Sequence, residues 1–133
     1  MKKIEHLGIA VKDLSVSIPL YEKLFQTPCY KTEEVSSEGV KTAFFQIGDS
    51  KIELLEATNS DSPIAKFLEK RGAGFHHVAF EVTEIDAEIA RLSEEGFQLI
   101  HTSPKDGADN KRIAFLHPKS TDSLLVELCQ EKN

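Results

Sequence analysis

The chain is written twice. Residues 4–11 read Ile-Glu-His-Leu-Gly-Ile-Ala-Val and residues 75–82 read Phe-His-His-Val-Ala-Phe-Glu-Val, so His6 falls on His77 and Val11 on Val82 at an offset of 71. The same offset carries Asp13 to Glu84, Leu14 to Ile85, Ile18 to Ile89 and Phe44-Phe45 to Phe115-Leu116. Further on, Ile52-Glu53-Leu54 falls on Val126-Glu127-Leu128, where the offset has grown to 74. The extra residues sit in a turn, Gly48-Asp49-Ser50 in the first half and Pro118 to Ser123 in the second, which is where insertions are tolerated. A repeat this long dictates two copies of one supersecondary unit.

Each copy reads strand, helix, then three strands. Residues 4–11 alternate apolar and polar or small residues, the period of a strand. Residues 14–26 and 84–95 carry apolar residues at helical spacing, as at Ile85, Ile89 and Leu92. Pro19 removes a backbone bond from the first of these helices and predicts a late start or a kink. Residues 39–47 and 51–56 predict a hairpin turning at Gly48-Asp49, and residues 111–116 and 124–129 repeat it. A short helix over 63–71 joins the halves, with Asp61-Ser62 as its cap, Pro63 in its first turn and Gly72 as its stop. The expected architecture is α+β: two repeated βαβββ modules, about 1–60 and 73–133, in one domain with a linker helix at about 61–72.

At 133 residues the chain has room for one ordinary core. No apolar run approaches the roughly 20 residues of a membrane helix, and Met1-Lys2-Lys3-Ile4-Glu5-His6 enters a strand pattern without a signal-type segment. Cys29 and Cys129 form no CxxC and no disulfide framework, which fits a cytoplasmic setting. A net charge of -6 argues against general nucleic-acid binding but leaves room for an anionic small ligand held by a few local cations.

Strand alternation sorts the polar residues by face. In the first strand Leu7, Ile9 and Val11 share the face suited to lie under a helix, while His6, Gly8 and Ala10 share the other. In residues 76–82 the apolar face is Val78, Phe80 and Val82, with His77 and Ala79 opposite. Leu124, Val126 and Leu128 oppose Glu127, and Ile52 and Leu54 flank Glu53. Each half thus presents one histidine and one glutamate from the face turned away from its helix. A single strand histidine is usually a hydrogen-bonded structural residue and a single strand glutamate usually faces solvent; the same pair in matched positions of both halves is what argues for a common task. Imidazole and carboxylate suit Zn²⁺, Co²⁺, Ni²⁺ or Mn²⁺, and the absence of a thiolate from the set disfavours a closed structural zinc site. His76 points away from His77, and His101 and His117 have no repeat partner that is a ligand, so surface or supporting roles fit them better. Cys129 reads as packing. Lys111 and Arg112 are either ordinary hairpin charges or phosphate contacts.

These residues resemble the vicinal oxygen chelate superfamily (the glyoxalase, bleomycin-resistance and dioxygenase proteins) over essentially the whole chain. His6-Leu7-Gly8-Ile9-Ala10-Val11 with Asp13-Leu14 is similar to the opening strand of that superfamily as a whole. Residues 51–56, 61–67, Gly74-Phe75-His76-His77 and Phe115-Leu116-His117-Pro118-Lys119 are closer to its methylmalonyl-CoA epimerases. The resemblance implies an open, cup-shaped mixed sheet around a metal held by His6, Glu53, His77 and Glu127, with Co²⁺ as the first expectation. It implies interconversion of the (2R) and (2S) epimers of an acyl-CoA, methylmalonyl-CoA, by proton removal and return at C2, with Glu127 and Glu53 as acid and base. Lys111, Arg112 and Lys119 are the candidate contacts for the CoA phosphates, and a homodimer is expected. The chain departs from the pattern at Pro19, at Gln26-Thr27 and at the turns Asp109-Asn110 and Asp122-Ser123; some epimerases carry an acid where this chain has Thr42, which cannot act as a base. A lactoylglutathione lyase would use the same metal and glutamates to move a proton between adjacent carbons, and a metal-dependent binding or resistance protein of the same fold would turn nothing over.

Overall fold

The computed structural model describes residues 1–132; the final residue of the expected second module, 133, lies outside them. The elements run β1 (Lys3–Ala10), α1 (Leu14–Phe25), β2 (Lys31–Val35), β3 (Val40–Ile47), β4 (Ser50–Ala57), α2 (Pro63–Arg71), β5 (Gly74–Glu81), α3 (Ile85–Glu94), β6 (Lys105–Asp106), β7 (Lys111–Leu116) and β8 (Val126–Glu131). This is an α+β chain made of two βαβββ modules, as the repeat predicts. Two units can be drawn, residues 6–76 and residues 77–132 with Met1–Glu5. None of the helices among the described residues is long and apolar enough to cross a membrane.

In the first unit the strands lie in the order β2-β3-β4-β1. β1 runs parallel to β4, with Gly8 beside Glu53, and β3 runs antiparallel to β4, with Phe44 beside Glu53. A parallel pair needs a crossover, and the chain between β1 and β4 supplies it with α1. The N–H of Ser15 donates to the Asp13 carboxylate at 2.9 Å and the N–H of Leu14 to Glu56 at 2.7 Å, so two orphan donors of the first turn are satisfied. These caps place the start at Leu14, where the helical spacing over 14–26 predicts it; of the two readings of Pro19, the late start does not occur, and Pro19 lies inside α1. Pro19 has no N–H for the Ser15 carbonyl; against that loss, α1 lays Leu14, Ile18, Tyr21 and Phe25 on a core of Val11, Ala43, Phe45 and Leu54. The opposite face carries Ala10, Val40 and Leu55, covered by Ile64, Phe67 and Leu68 of α2. The N–H of Ala65 donates to Ser62 Oγ at 3.0 Å, so Ser62 caps α2.

The second unit repeats the order as β5-β8-β7-β6. β5 is parallel to β8, with Ala79 beside Glu127, and β7 is antiparallel to β8, with Phe115 beside Glu127. Ile85, Ile89 and Leu92 of α3 are buried, and the other sheet face gathers Ala79, Ile113, Cys129 and Phe115. Leu124 was expected inside the last strand, but β8 begins at Val126 and Leu124 is exposed. The N–H of Leu124 donates instead to the Thr121 carbonyl at 3.1 Å, closing a turn before the strand starts.

Candidate metal centre

Register explains how each half aims its polar pair. Cross-strand neighbours share a face, and diagonal neighbours two residues along are within reach of long side chains. Gly8 lies beside Glu53, so His6, two residues before Gly8, is the diagonal neighbour of Glu53 on that face. His6 Nδ1 stands 3.1 Å from Glu53 Oε2. Ala79 lies beside Glu127, and His77 is its diagonal neighbour in the same sense. His77 Nε2 stands 2.9 Å from Glu127 Oε1. The side chains of both histidines are 5% exposed and those of both glutamates 7%. Each glutamate is flanked by one small residue, Gly8 or Ala79, and by one ring, Phe44 or Phe115. The repeat therefore reproduces the pair together with its two neighbours.

The donor chemistry fits a dication. Two ligand atoms held about 2.1 Å from one ion at a right angle lie about 3 Å apart, the separation seen in both pairs. Imidazole nitrogen with carboxylate oxygen is a borderline donor set, and a buried carboxylate needs a compensating positive charge or hydrogen bonds. Each unit thus holds a buried His–Glu pair able to ligate a metal. A pair alone leaves coordination positions open.

The other residues singled out in the sequence fall as follows. The His76 ring stands edge-on to Phe67 at 4.8 Å between centroids, in the opposite sense to its neighbour His77. His101 Nδ1 accepts from the N–H of Phe115 at 3.1 Å, and its ring packs on the Phe115 ring. The same phenylalanine meets the His77 ring at 5.6 Å, edge to face. Tyr30, at the repeat position of His101, packs likewise on Phe44. His117 Nδ1 accepts from the N–H of Lys119 at 3.1 Å. Cys129 is buried, its thiol 3.5 Å from the Phe80 carbonyl. Lys111 pairs with Glu131 at 3.4 Å and Arg112 with Asp86 at 3.2 Å, while Lys119 is exposed.

The burial of two polar residues, Glu5 and Thr42, was not foreseen in the sequence. Glu5 is 3% exposed and Thr42 is 1% exposed. Thr42 carried a signal, because it falls between Val40 and Phe44 on one row of β3, where the neighbours predict burial. Glu5 precedes the first apolar residue of its row and reads as an ordinary polar strand end; nothing local marks it.

Residues 5–115 match the family described as the Glyoxalase/Bleomycin resistance protein/Dioxygenase superfamily. The uncharacterized protein YqjC of Bacillus subtilis (strain 168) is 40% identical over 132 residues, which covers 99% of this chain and 94% of that one. The mitochondrial methylmalonyl-CoA epimerase of Dictyostelium discoideum is 38% identical over 127 residues, covering 95% of this chain and 76% of that one. A solved variant of Streptomyces coelicolor methylmalonyl-CoA epimerase, in complex with 2-nitronate-propionyl-CoA, superposes with a TM-score of 0.95 at 34% identity, covering 98% of this chain and 95% of that one.

Proposed function

This chain belongs to the Glyoxalase/Bleomycin resistance protein/Dioxygenase superfamily, and from that premise we propose that it binds one divalent cation through His6, Glu53, His77 and Glu127 and epimerises methylmalonyl-CoA at C2. The observation that carries the reading is the His–Glu pair built twice, at 3.1 and 2.9 Å, in matched registers. Two half-sites with two ligands each make one four-ligand site that leaves positions for substrate oxygens, whereas two separate ions would each have half a ligand set. Co²⁺ is the proposed ion, on the nitrogen and oxygen donors and the resemblance together. The epimerase relatives, one of them in complex with an acyl-CoA analogue, support the substrate class.

A proton on a carbon between a thioester and a carboxylate is weakly acidic, and its removal leaves an enolate. The cation, when bound by these four residues, supplies positive charge against the oxygen on which that negative charge collects. Epimerisation then needs one group to take the proton from one face and another to deliver a proton to the opposite face. Glu127 and Glu53 take these roles: one is ionised while the other carries a proton, and they exchange states with the direction of reaction. Their burial and their fixed flanks hold each carboxylate in one orientation, which keeps the proton transfers short.

Lys119, with Lys111 and Arg112, is the proposed contact for the CoA phosphates. Arg112 and its partner Asp86 are 38% and 69% exposed, and an exposed pair of this kind is exchanged at little cost; Lys111 is buried and paired with the exposed Glu131, so its part depends on its ammonium reaching the surface from that pair. The reading includes a cytoplasmic homodimer, which sedimentation at micromolar protein tests. The decisive assay is incubation of the cobalt-loaded protein with methylmalonyl-CoA in D₂O. Deuterium enters C2 and the two epimers equilibrate with no new constitutional isomer. Isomerisation of a glutathione hemithioacetal without C2 exchange would make the chain a lactoylglutathione lyase, and metal binding with neither activity would make it a binding protein.

A further inference from the structure

The floor around each glutamate can be compared position by position. In the second unit Glu127 is surrounded on its face by Ala79, Ile113, Phe115 and Cys129, all apolar and packed together. The repeat places Gly8, Thr42, Phe44 and Leu55 at the corresponding positions around Glu53. Three of the four positions keep the floor apolar, Phe44 without change. The fourth exchanges Ile113 for a hydroxyl at Thr42.

Thr42 is not a surface threonine. It is 1% exposed and lies between Val40 and Phe44 on its row. Leu55 lies beside it on β4 and Glu33 beside it on β2. The Glu33 carboxylate is paired with Lys31 at 3.8 Å. Among the described residues no hydrogen bond engages the Thr42 hydroxyl, and no side-chain oxygen is sealed from solvent without a partner. The hydroxyl therefore keeps a small opening on the face it shares with Glu53. A hydroxyl desolvated without a partner is unfavourable, and valine has the same shape without that penalty, so a ligand that completes the bond is the natural reason for threonine here.

We propose that Thr42 is a substrate-contacting, specificity-determining residue whose hydroxyl hydrogen-bonds an oxygen of the acyl group beside Glu53. The assignment rests on the function proposed above and adds an asymmetry to it: the Glu53 half of the floor recognises an oxygen, and the Glu127 half, with Ile113, does not. A site built to bond an oxygen discriminates against a ligand that lacks it, because the site's own group is then left unpaired.

The test uses the cobalt-loaded full chain with Thr42→Val and Thr42→Ser, read by C2 deuterium exchange into methylmalonyl-CoA and by melting temperature. Thr42→Val raises KM about tenfold while kcat falls less than threefold, its melting temperature does not drop, and Thr42→Ser restores KM. A KM unchanged in Thr42→Val, or raised equally in both variants, overturns the assignment and leaves the epimerase standing. So does a fall in the melting temperature of Thr42→Val, because the hydroxyl would then be serving the fold. Wild-type protein that loads cobalt but shows no C2 exchange overturns the epimerase, and with it the role of Thr42.

Discussion

The two halves of this molecule agree at the His–Glu pairs and their immediate flanks, and differ at Thr42 and Ile113, on the outer faces of the helices and in the turns. Around Glu53 and Glu127 the repeat keeps the histidine two residues from the flanking small residue, and the phenylalanine on the other side. The helices show the contrast. α1 turns Val16, Leu20 and Leu24 to solvent, while the repeat places Ala87 and Arg91 of α3, and Glu95 just past its end, at the same positions. The turns differ as well. The hairpin between β3 and β4 uses Gly48 at φ 59, whereas its repeat counterpart between β7 and β8 puts Asp122 and Ser123 at φ 53 and 72. Positive φ favours glycine, and aspartate tolerates it better than most side-chain-bearing residues. Register on a sheet is strict, because a slip of one residue turns every side chain to the other face. Outer helix faces and turns meet only their local requirements. The comparison teaches which positions the polar pairs need held.

The largest effect should come from breaking the chemical equivalence of the halves. Glu127→Gln is expected to lower C2 exchange by about two to four orders of magnitude, as for loss of a general base, while folding is kept and cobalt binding is weakened only in part. Glu53→Gln should slow equilibration of the epimers comparably. Deuterium exchange measured separately from each epimer tests this; equal exchange from both epimers in Glu127→Gln would show that the glutamates do not divide the two faces.

The flanking rings separate the halves by burial. Phe44 is fully buried and Phe115 only partly. Phe44→Ala should cost about 3–5 kcal/mol and Phe115→Ala less, read by urea unfolding. An equal cost would mean that the His77 and His101 contacts of Phe115 compensate for its exposure.

Metal loading asks whether the halves act together. Titration should end at one cobalt per chain. Saturation at about 100 times Kd adds about 2.7 kcal/mol of stability, or roughly 10 °C in melting temperature, all lost on chelation. Two ions per chain would sever the pairs into separate sites.

The smallest effects lie in the turns. Ser123, at φ 72, lies where glycine is favoured, so Ser123→Gly should stabilise by about 1 kcal/mol. Gly48→Ala, at φ 59 with open space around it, should lose about the same amount. Thermal melts that moved both in one direction would show that packing, not φ, sets these residues.

The pairing of His6 with Glu53 and of His77 with Glu127 was legible because period-two alternation and the repeat act on the same residues. α2 was legible to the residue, since Ser62, Pro63 and Gly72 are local signals. The course of α1 through Pro19 was not. Pro19 is a local signal for interruption, and the packing of Ile18, Tyr21 and Phe25 against the sheet outweighs it. β6 is only Lys105–Asp106, in a stretch without alternation, and pairing with β7 alone makes it a strand. Glu5 and Thr42 show the remaining gap: sequence tells which face a polar residue takes, and burial depends on what covers that face.

The first five residues count with the second unit, and the N–H of Lys2 donates to the carbonyl of Glu81 at 2.8 Å. Synthesis runs in the other order. At about 5–20 residues per second, roughly 4–15 seconds separate the making of these residues from that of their partner. During that interval the strands and helices from β1 to α2 can form, while the N–H of Lys2 waits for the carbonyl of Glu81. The hydrogen bond from Lys2 to Glu81 is therefore one that closes only after the later half has been made.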